Sequence, residues 1–459
     1  MKLLLRLVAL ALPLVLAACG GGDSTTTTLT GAAANINLAT AFTQTNNNLR
    51  LVVEDVPALR GFAVTNTNTL YADIRVCNPS DDTQCVTIDH VLVDTGSVGL
   101  RVMASKVSGL ALPPVNLSNH PGDVSHECFQ FVIGGLWGRN AVANVWLGQQ
   151  RTATPVSIHL IDDGATPAVA VPADCTNATN GSVLSTAASL GANGILGIGN
   201  TTVDCGYNCT VGDYTGIGAF IQYYHCPPAA TDTSTCGPAS VAANEIVYNP
   251  VSALPGPDPQ DPTVPFFNNG VVIKMPAVSG AGATSARGEL ILGVNTYLPG
   301  SGNYSDNRVP NGAAKAELGV DYQFNIDSYL NVTTTFRGTD YPISYLDTGT
   351  NGIFFSHPDL AGYVCSSWYC PPSTLFFSAD ISDGKAIKTN LAAPVSFQIG
   401  NGMFYTQNPA ISDNAGEAIG QDSAKVFAWG LPFFYGRQVY LTIWDFDPLN
   451  PPWYAWAPI

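Results

Sequence analysis

The sequence predicts a mostly β chain folded as two similar lobes. Among 459 residues there are 45 Gly and 32 Pro, and only 11 % are charged. That composition favours many short strands and turns over long helices. The second observation is a repeat: Val91-Leu92-Val93-Asp94-Thr95-Gly96-Ser97 returns as Ser344-Tyr345-Leu346-Asp347-Thr348-Gly349-Thr350. In each copy an apolar or aromatic run enters Asp-Thr-Gly and then a hydroxyl residue, which sets the Asp at a strand end facing a cleft. A single Asp-Thr-Gly arises by chance in about one chain in ten of this length, and two in about one in a hundred or fewer. A lone copy reads as an ordinary strand-to-turn feature. The matched pair does not.

Two such carboxylates brought together share one proton, because like charges a few ångströms apart do not both ionise cheaply. One then serves as general base toward a water, the other as general acid toward a carbonyl. The rest of the composition narrows the alternatives. The net charge of −16 includes Lys2 and Arg6 of an N-terminal leader, so the chain beyond the leader is more acidic still. With no basic footprint, no nucleic-acid partner is expected. The acidity suits solubility at neutral pH and work in an acidic medium. The six His stand apart at 90, 120, 126, 159, 225 and 357. Cys205-x-x-x-Cys209 has no second close pair or clustered His for tetrahedral ligation. No metal site and no cofactor are expected.

Taken in order, residues 1–19 read as a targeting segment. Lys2 and Arg6 form its positive end, and Leu7 to Leu16 an apolar core too short for a membrane span. It ends Leu16-Ala17-Ala18-Cys19, which resembles the lipobox of bacterial lipoproteins. The resemblance implies a lipidated Cys19, export and a membrane tether. Gly20, in place of an inner-membrane retention Asp, points to the outer membrane of a Gram-negative envelope. Setting Cys19 aside leaves an even ten of the 11 Cys, as an exported disulfide-bonded chain requires. Close spacing suggests Cys77–Cys85, Cys205–Cys209, Cys226–Cys236 and Cys365–Cys370, leaving Cys128–Cys175.

Residues 20–48, rich in Gly, Thr, Ala and Asn, read as a flexible tether without Lys or Arg. A first β lobe is expected over 49–285. Within it, Leu70 to Val76 alternates as a half-buried strand, and Val86 to Val93 returns into Asp94. Val98 to Met103 leaves as another strand. Phe129 to Ile133 and Ala141 to Leu147 form a hairpin whose tip is Gly134-Gly135, either a lid over the cleft or an edge hairpin. Asn193 to Gly199 interleaves Gly with Ile and Leu for close backbone packing. Residues 200–265, rich in Cys and Pro, read as an insertion with a short helix over Asp213 to Tyr224. Strands resume at Val271 to Met275 and at Gly288 to Gly293. The second lobe, 286–459, echoes the first: strands, Asp347 at a turn, a Cys pair, Val395 to Ile399, Phe427 to Phe434 and Val439 to Asp445.

With these motifs in order over most of residues 65–445, the chain resembles the pepsin-like aspartic peptidases. Asp94-Thr95-Gly96-Ser97 and Asp347-Thr348-Gly349-Thr350 match the two catalytic motifs. Asn193 to Gly197 and Trp429-Gly430 look like the elements that cross behind them, and Gly288 to Gly293 like the strand opening the second lobe. The resemblance implies a two-lobed β fold with a central cleft, an Asp94/Asp347 dyad and a water between them. It implies that Thr95 and Thr348 lock the loops together and that Ser97 and Thr350 donate to the outer carboxylate oxygens. An extended peptide then binds the cleft as an added strand. The chain departs from the pattern in four places. Phe131 stands where the flap Tyr is expected, and Arg101 near the place of a Trp. Asn193 replaces an Asp, and Asn351 a Ser. The 253-residue separation of the motifs is also long for the family.

The reading is therefore a membrane-tethered aspartic endopeptidase. The alternative is a peptidase-fold lipoprotein that binds a peptide or envelope component without cleaving it. Glycoside hydrolysis also uses two carboxylates but finds no support here beyond the pair. Oligomeric state is left open.

Overall fold

The computed structural model describes residues 42–60, 66–131, 134–164, 169–178, 183–205, 221–228, 235–261, 263–300, 302–310, 324–326, 331–384, 392–407, 411, 416–418, 425–444 and 451–459. The described residues are mostly β, with 48 % strand and 9 % helix. Among them the strands form a sixteen-stranded sheet and a nine-stranded sheet. The larger runs from the Gly237–Pro238 edge through the first Asp-Thr-Gly region to Asn48–Glu54. It continues through Ser285–Leu292, Gly270–Met275, Arg437–Thr442 and Trp453–Pro458. The smaller sheet is built from strands between Val332 and Trp429. The large sheet thus takes strands from both ends of the chain.

One supersecondary unit occurs twice, and it explains why the repeat in sequence matters. Asp81–Asp94 carries its apolar run to the Asp-Thr-Gly turn, and Val98–Met103 leaves it. Gly194–Ile198 lies between them, parallel to the first (Val93 opposite Leu196) and antiparallel to the second (Val98 opposite Ile198). In the second half Thr339–Leu346 and Ile353–Phe355 flank Val426–Trp429 with the same polarity, Leu346 opposite Trp429 and Ile353 opposite Trp429. A strand held on both sides within so short a turn needs small residues at its end. A Cβ on Gly430 would lie 2.0 Å from the Gly352 carbonyl oxygen.

The core follows from the alternation. Strand residues such as Leu70, Val76, Val91, Val93, Leu100 and Val102 are fully or almost fully buried. In the smaller sheet the core is aromatic: Phe355 stacks on Phe427 at 4.5 Å, Phe427 lies 4.6 Å from Trp429, and Phe397 meets Trp429 edge-on at 5.2 Å. Trp429, fully buried, donates its indole N–H to Thr334 Oγ1 (2.9 Å), so the ring is buried without leaving a donor unpaired.

Four of the expected disulfides are present: Cys77–Cys85, Cys128–Cys175, Cys226–Cys236 and Cys365–Cys370. Cys205 is disulfide-bonded as well, while Cys209 lies outside the described residues, as do Cys19 and the leader. No helix among the described residues is long and apolar enough to cross a membrane.

Three expectations need correction. Ile221 to Tyr224 is strand, not the end of a helix: Ile221–Cys226 pairs with Val124–Phe131 and is closed by Cys226–Cys236. Tyr223 and Tyr224 suit a pleated sheet, and tertiary pairing decides the matter. Residues 213–220 lie outside the described set. Gly134 and Gly135 belong to the returning arm of the hairpin and not to its tip, because Gly134 pairs with Phe131 and Gly135 with Gln130. Residues 44–48 belong to the fold and not to a tether. Asn47 and Asn48 are buried, Asn47 donating to Leu292 and Ser305 carbonyls and Asn48 to Glu289.

Replacing Trp429 by Ala should lower the stability of the chain by about 3–5 kcal/mol, through lost burial and the cavity left among the phenylalanines. Chemical denaturation of both proteins measures this. A loss under about 1 kcal/mol would be inconsistent with a rigid aromatic core.

Candidate active site

The two repeated units meet at their turns. The Thr95 N–H donates to Thr348 Oγ1 (3.1 Å) and the Thr348 N–H to Thr95 Oγ1 (3.0 Å). Each hydroxyl then donates across to the opposite main chain, Thr95 to the Leu346 carbonyl (2.9 Å) and Thr348 to the Val93 carbonyl (2.6 Å). All four groups are buried, where hydrogen bonds are worth most and leaving them unmade costs most. Threonine supplies what the site needs: a hydroxyl that both donates and accepts, on a β-branched side chain with few rotamers.

This lock brings Asp94 and Asp347 face to face. The inner oxygen of each accepts a main-chain N–H two residues on, Gly96 to Asp94 Oδ1 (2.8 Å) and Gly349 to Asp347 Oδ1 (2.7 Å). The outer oxygen accepts the hydroxyl three residues on. Ser97 donates to Asp94 Oδ2 and Thr350 to Asp347 Oδ2 (2.5 Å). The glycines let the acids approach. A Cβ on Gly96 would sit 2.6 Å from the Asp347 Cγ, and one on Gly349 would sit 2.6 Å from Asp94 Oδ1 and 3.1 Å from Asp347 Oδ1. The eight residues singled out in the two motifs therefore form one site.

Electrostatics follow from the geometry. Asp94 is 5 % exposed and Asp347 half-buried. Burial, and then the negative charge of Asp94, push the Asp347 carboxyl up to about 8, against the donors Thr350 and Gly349. The two carboxyls therefore share a proton that the Asp347 side favours. Burial, with the charges of Asp347 and Asp94, also holds Tyr345 well above the ordinary phenol range. Burial and Asp347 do the same for Tyr454, which donates to Asn200 Oδ1 (2.9 Å).

Phe131 ends the outgoing arm of the hairpin, half-buried, its ring 4.6 Å from Phe129. Asn193 anchors its strand by donating to the Asp89 carbonyl (2.9 Å), and Asn351 offers its carbonyl to Asn68 Nδ2 (2.9 Å).

Two groups of residues escaped the sequence reading. Asn68, in left-handed backbone at φ 53°, bridges the halves: it donates to Asn351 and accepts from Tyr435 (3.1 Å), while Thr67 donates to the Tyr405 carbonyl (2.7 Å). The Asn-Thr-Asn run before Leu70 was the available signal, since Asn tolerates φ > 0. The second group surrounds Arg101, which is fully buried on Val98–Met103 with its guanidinium 3.6 Å from the Phe129 ring. Arg101 Nη2 reaches Glu127 Oε1 (2.7 Å) and Asp204 Oδ2 (2.8 Å), and Tyr223 donates to Asp204 (3.1 Å). His159 Nδ1 lies 3.2 Å from Glu127 Oε2. Burial opposes every charge here, so charge is kept where it is paired. Against burial, Glu127 and Asp204 hold Arg101 protonated, and Arg101 keeps Glu127 ionised. Burial and the Glu127 charge raise Asp204 well above the carboxylate range, and burial pushes His159 down to about 4. The cluster sets one guanidinium against two carboxyls, and a dry interior disfavours ionising both.

The raised carboxyl makes stability depend on pH. In the fold Asp347 keeps a proton that the unfolded chain, at the ordinary carboxylate value, releases from about pH 4 upward. Rising pH between about 4 and 8 therefore costs stability, and the cost is complete above the folded value. Asp347→Asn is neutral throughout and removes it. Relative to wild type, the melting temperature of the variant should rise between pH 4 and pH 8 by about 2–4 °C or more. A difference that does not change with pH would contradict the raised carboxyl.

The comparisons with known proteins add the family and nothing on activity. No curated protein matched the chain. A family model described as "Protein of unknown function (DUF3443)" matches residues 43–455, a span that includes both Asp-Thr-Gly turns and nearly every described strand, and the chain belongs to that family.

Proposed function

We propose that this chain is an aspartic endopeptidase with a pepsin-like, two-lobed architecture, cleaving peptide bonds with a water held between Asp94 and Asp347. The observation that carries the proposal is the twofold cradle. Each carboxylate has its inner oxygen on a glycine N–H and its outer oxygen on a hydroxyl, and the two glycines leave the inner oxygens facing one space. A purely structural carboxylate pair gains nothing from being brought to repel.

The chemistry follows from the single shared proton. The ionised Asp94 takes a proton from the water as it attacks the peptide carbonyl, and the protonated Asp347 gives its proton to the carbonyl oxygen. Collapse of the tetrahedral intermediate returns a proton to the leaving nitrogen, and the pair titrates as a unit. Ser97 and Thr350 hold the outer oxygens so that the inner ones do the transfer. The proposal includes a lipid-anchored Cys19 on the cell envelope, probed directly by mass spectrometry of the membrane-extracted protein.

A binding role without cleavage keeps one supporting observation: Phe131, on the arm nearest the expected lid, has no hydroxyl to offer a substrate. Cleavage decides between the two. The full chain in mild detergent, incubated with denatured protein between about pH 3 and 7, should release peptides detectable by mass spectrometry. Asp94→Asn and Asp347→Asn should each lower the rate by about 10³-fold or more while leaving the circular dichroism spectrum unchanged. A peptide carrying a tetrahedral hydroxyl in place of the scissile carbonyl should inhibit wild type. Folded wild type that releases no peptide across this range, and binds unmodified peptide no less tightly than the hydroxyl analogue, would move the assignment to binding.

A further inference from the structure

Far from the dyad, the fold brings together residues that stand apart in sequence. His120, Asp123 and His225 are each half-buried, and one ligand atom from each lies within 4.8 Å of the others. His120 and Asp123 share a tight turn: the Asp123 N–H donates to the His120 carbonyl (3.0 Å) and the His120 N–H to the carbonyl of buried Leu117 (3.3 Å). His225 is fixed from three sides. Its strand pairs with Ser125 on one edge and Gly237 on the other, and the next residue is held in Cys226–Cys236.

We propose that His120, Asp123 and His225 bind a divalent transition-metal cation of the zinc, nickel or copper class. Two imidazoles and a carboxylate are the ligand set such ions take, and three protein ligands leave a position for water. The thiols nearby are oxidised and outside the ligand set. The geometry names the ligating atoms. His225 Nδ1 faces Asp123 Oδ2 at 2.9 Å, a separation that a shared metal bridges when it replaces the intervening proton. The Nε2 edge of the ring lies against Gly237, where a Cβ would come within 2.7 Å of Nε2. A glycine there makes room for the imidazole and turns Nδ1 toward the carboxylate.

His120 completes the set. Its ring stacks on that of His225, centroids 3.9 Å apart and planes 2° from parallel. Among the described residues no hydrogen bond engages its nitrogens, and Asp123 has no lysine or arginine partner. Two parallel rings do not point at one ion, so binding turns the half-exposed His120 ring about its own side chain. That movement brings the His120 nitrogen to the roughly 3.3 Å spacing that zinc bonds of about 2.0–2.1 Å impose, while the His225–Asp123 pair opens slightly to admit the ion. The turn 117–123 is then clipped to the sheet edge. Asp123 immediately precedes the strand Val124–Phe131, so the metal stabilises this edge of the sheet.

The test uses the full chain, stripped with EDTA and titrated with zinc chloride at about pH 7.5 against a chromophoric chelator. One equivalent should bind with a dissociation constant of about 1–10 µM. His225→Gln and Asp123→Asn should each weaken it tenfold or more, and zinc should raise the melting temperature of wild type but not of the variants. His120→Gln changes a half-exposed ring on a turn, and it serves where a strand substitution fails to fold. Cobalt(II) in place of zinc should give visible absorption bands that this variant loses. Absence of stoichiometric binding by wild type, or binding unchanged in His120→Gln, overturns the proposal.

Discussion

Everything at the centre of this molecule depends on the reciprocal bonding of Thr95 and Thr348. Two turns separated by 253 residues are joined by four buried hydrogen bonds in which each hydroxyl accepts one main-chain N–H and donates to one carbonyl. Neither hydroxyl of the lock is spent on a carboxylate. The acids are therefore free to be held by a separate set, Gly96 and Ser97 on one side, Gly349 and Thr350 on the other. The division explains how two like charges tolerate proximity: the lock supplies the free energy of closure, and the proton left on Asp347 removes most of the repulsion.

The strands behind the turns serve this arrangement. Gly194–Ile198 and Val426–Trp429 each run between the strand that delivers an Asp and the strand that leaves it. A shift of either would move the Asp with it, since the register is fixed by ladder bonds on both sides. The two halves reach this arrangement with different cores. The second relies on stacked aromatics around Trp429, whereas the first buries aliphatic residues and an ion cluster on Arg101. The symmetry of the site is stricter than the symmetry of what supports it.

How much was legible in sequence follows from how local each feature is. Asp94, Asp347 and their neighbours lie in seven-residue windows whose pattern states their geometry. Disulfides with short loops, such as Cys77–Cys85, could be paired by proximity along the chain. Features made by distant residues were illegible. Arg101 reads as one charge in a strand, yet all six residues of Val98–Met103 are buried, and its partners come from Glu127 and Asp204. His120 and His225 look scattered until Ile221–Cys226 is seen as a strand beside Val124–Phe131. The helix expected over Asp213 to Tyr224 hid that pairing. Within the Cys- and Pro-rich stretch 200–265, Asp204, Tyr223 and Val247 are tied to one another and to Arg101 by buried bonds that composition does not reveal.

The strand Val124–Phe131 shows how these pieces combine. Its first residue follows Asp123 and the turn that carries His120, and its last is Phe131. Between them Glu127 pairs with Arg101, and the Phe129 ring lies under the same guanidinium. Alternation puts Glu127, Phe129 and Phe131 on one face, so the face that bears the hairpin's end is pinned twice to the strand leaving Asp94. Arg101 therefore ties the strand leaving the first acid to the outgoing arm of the hairpin, a coupling made by one cation–π contact and one ion pair.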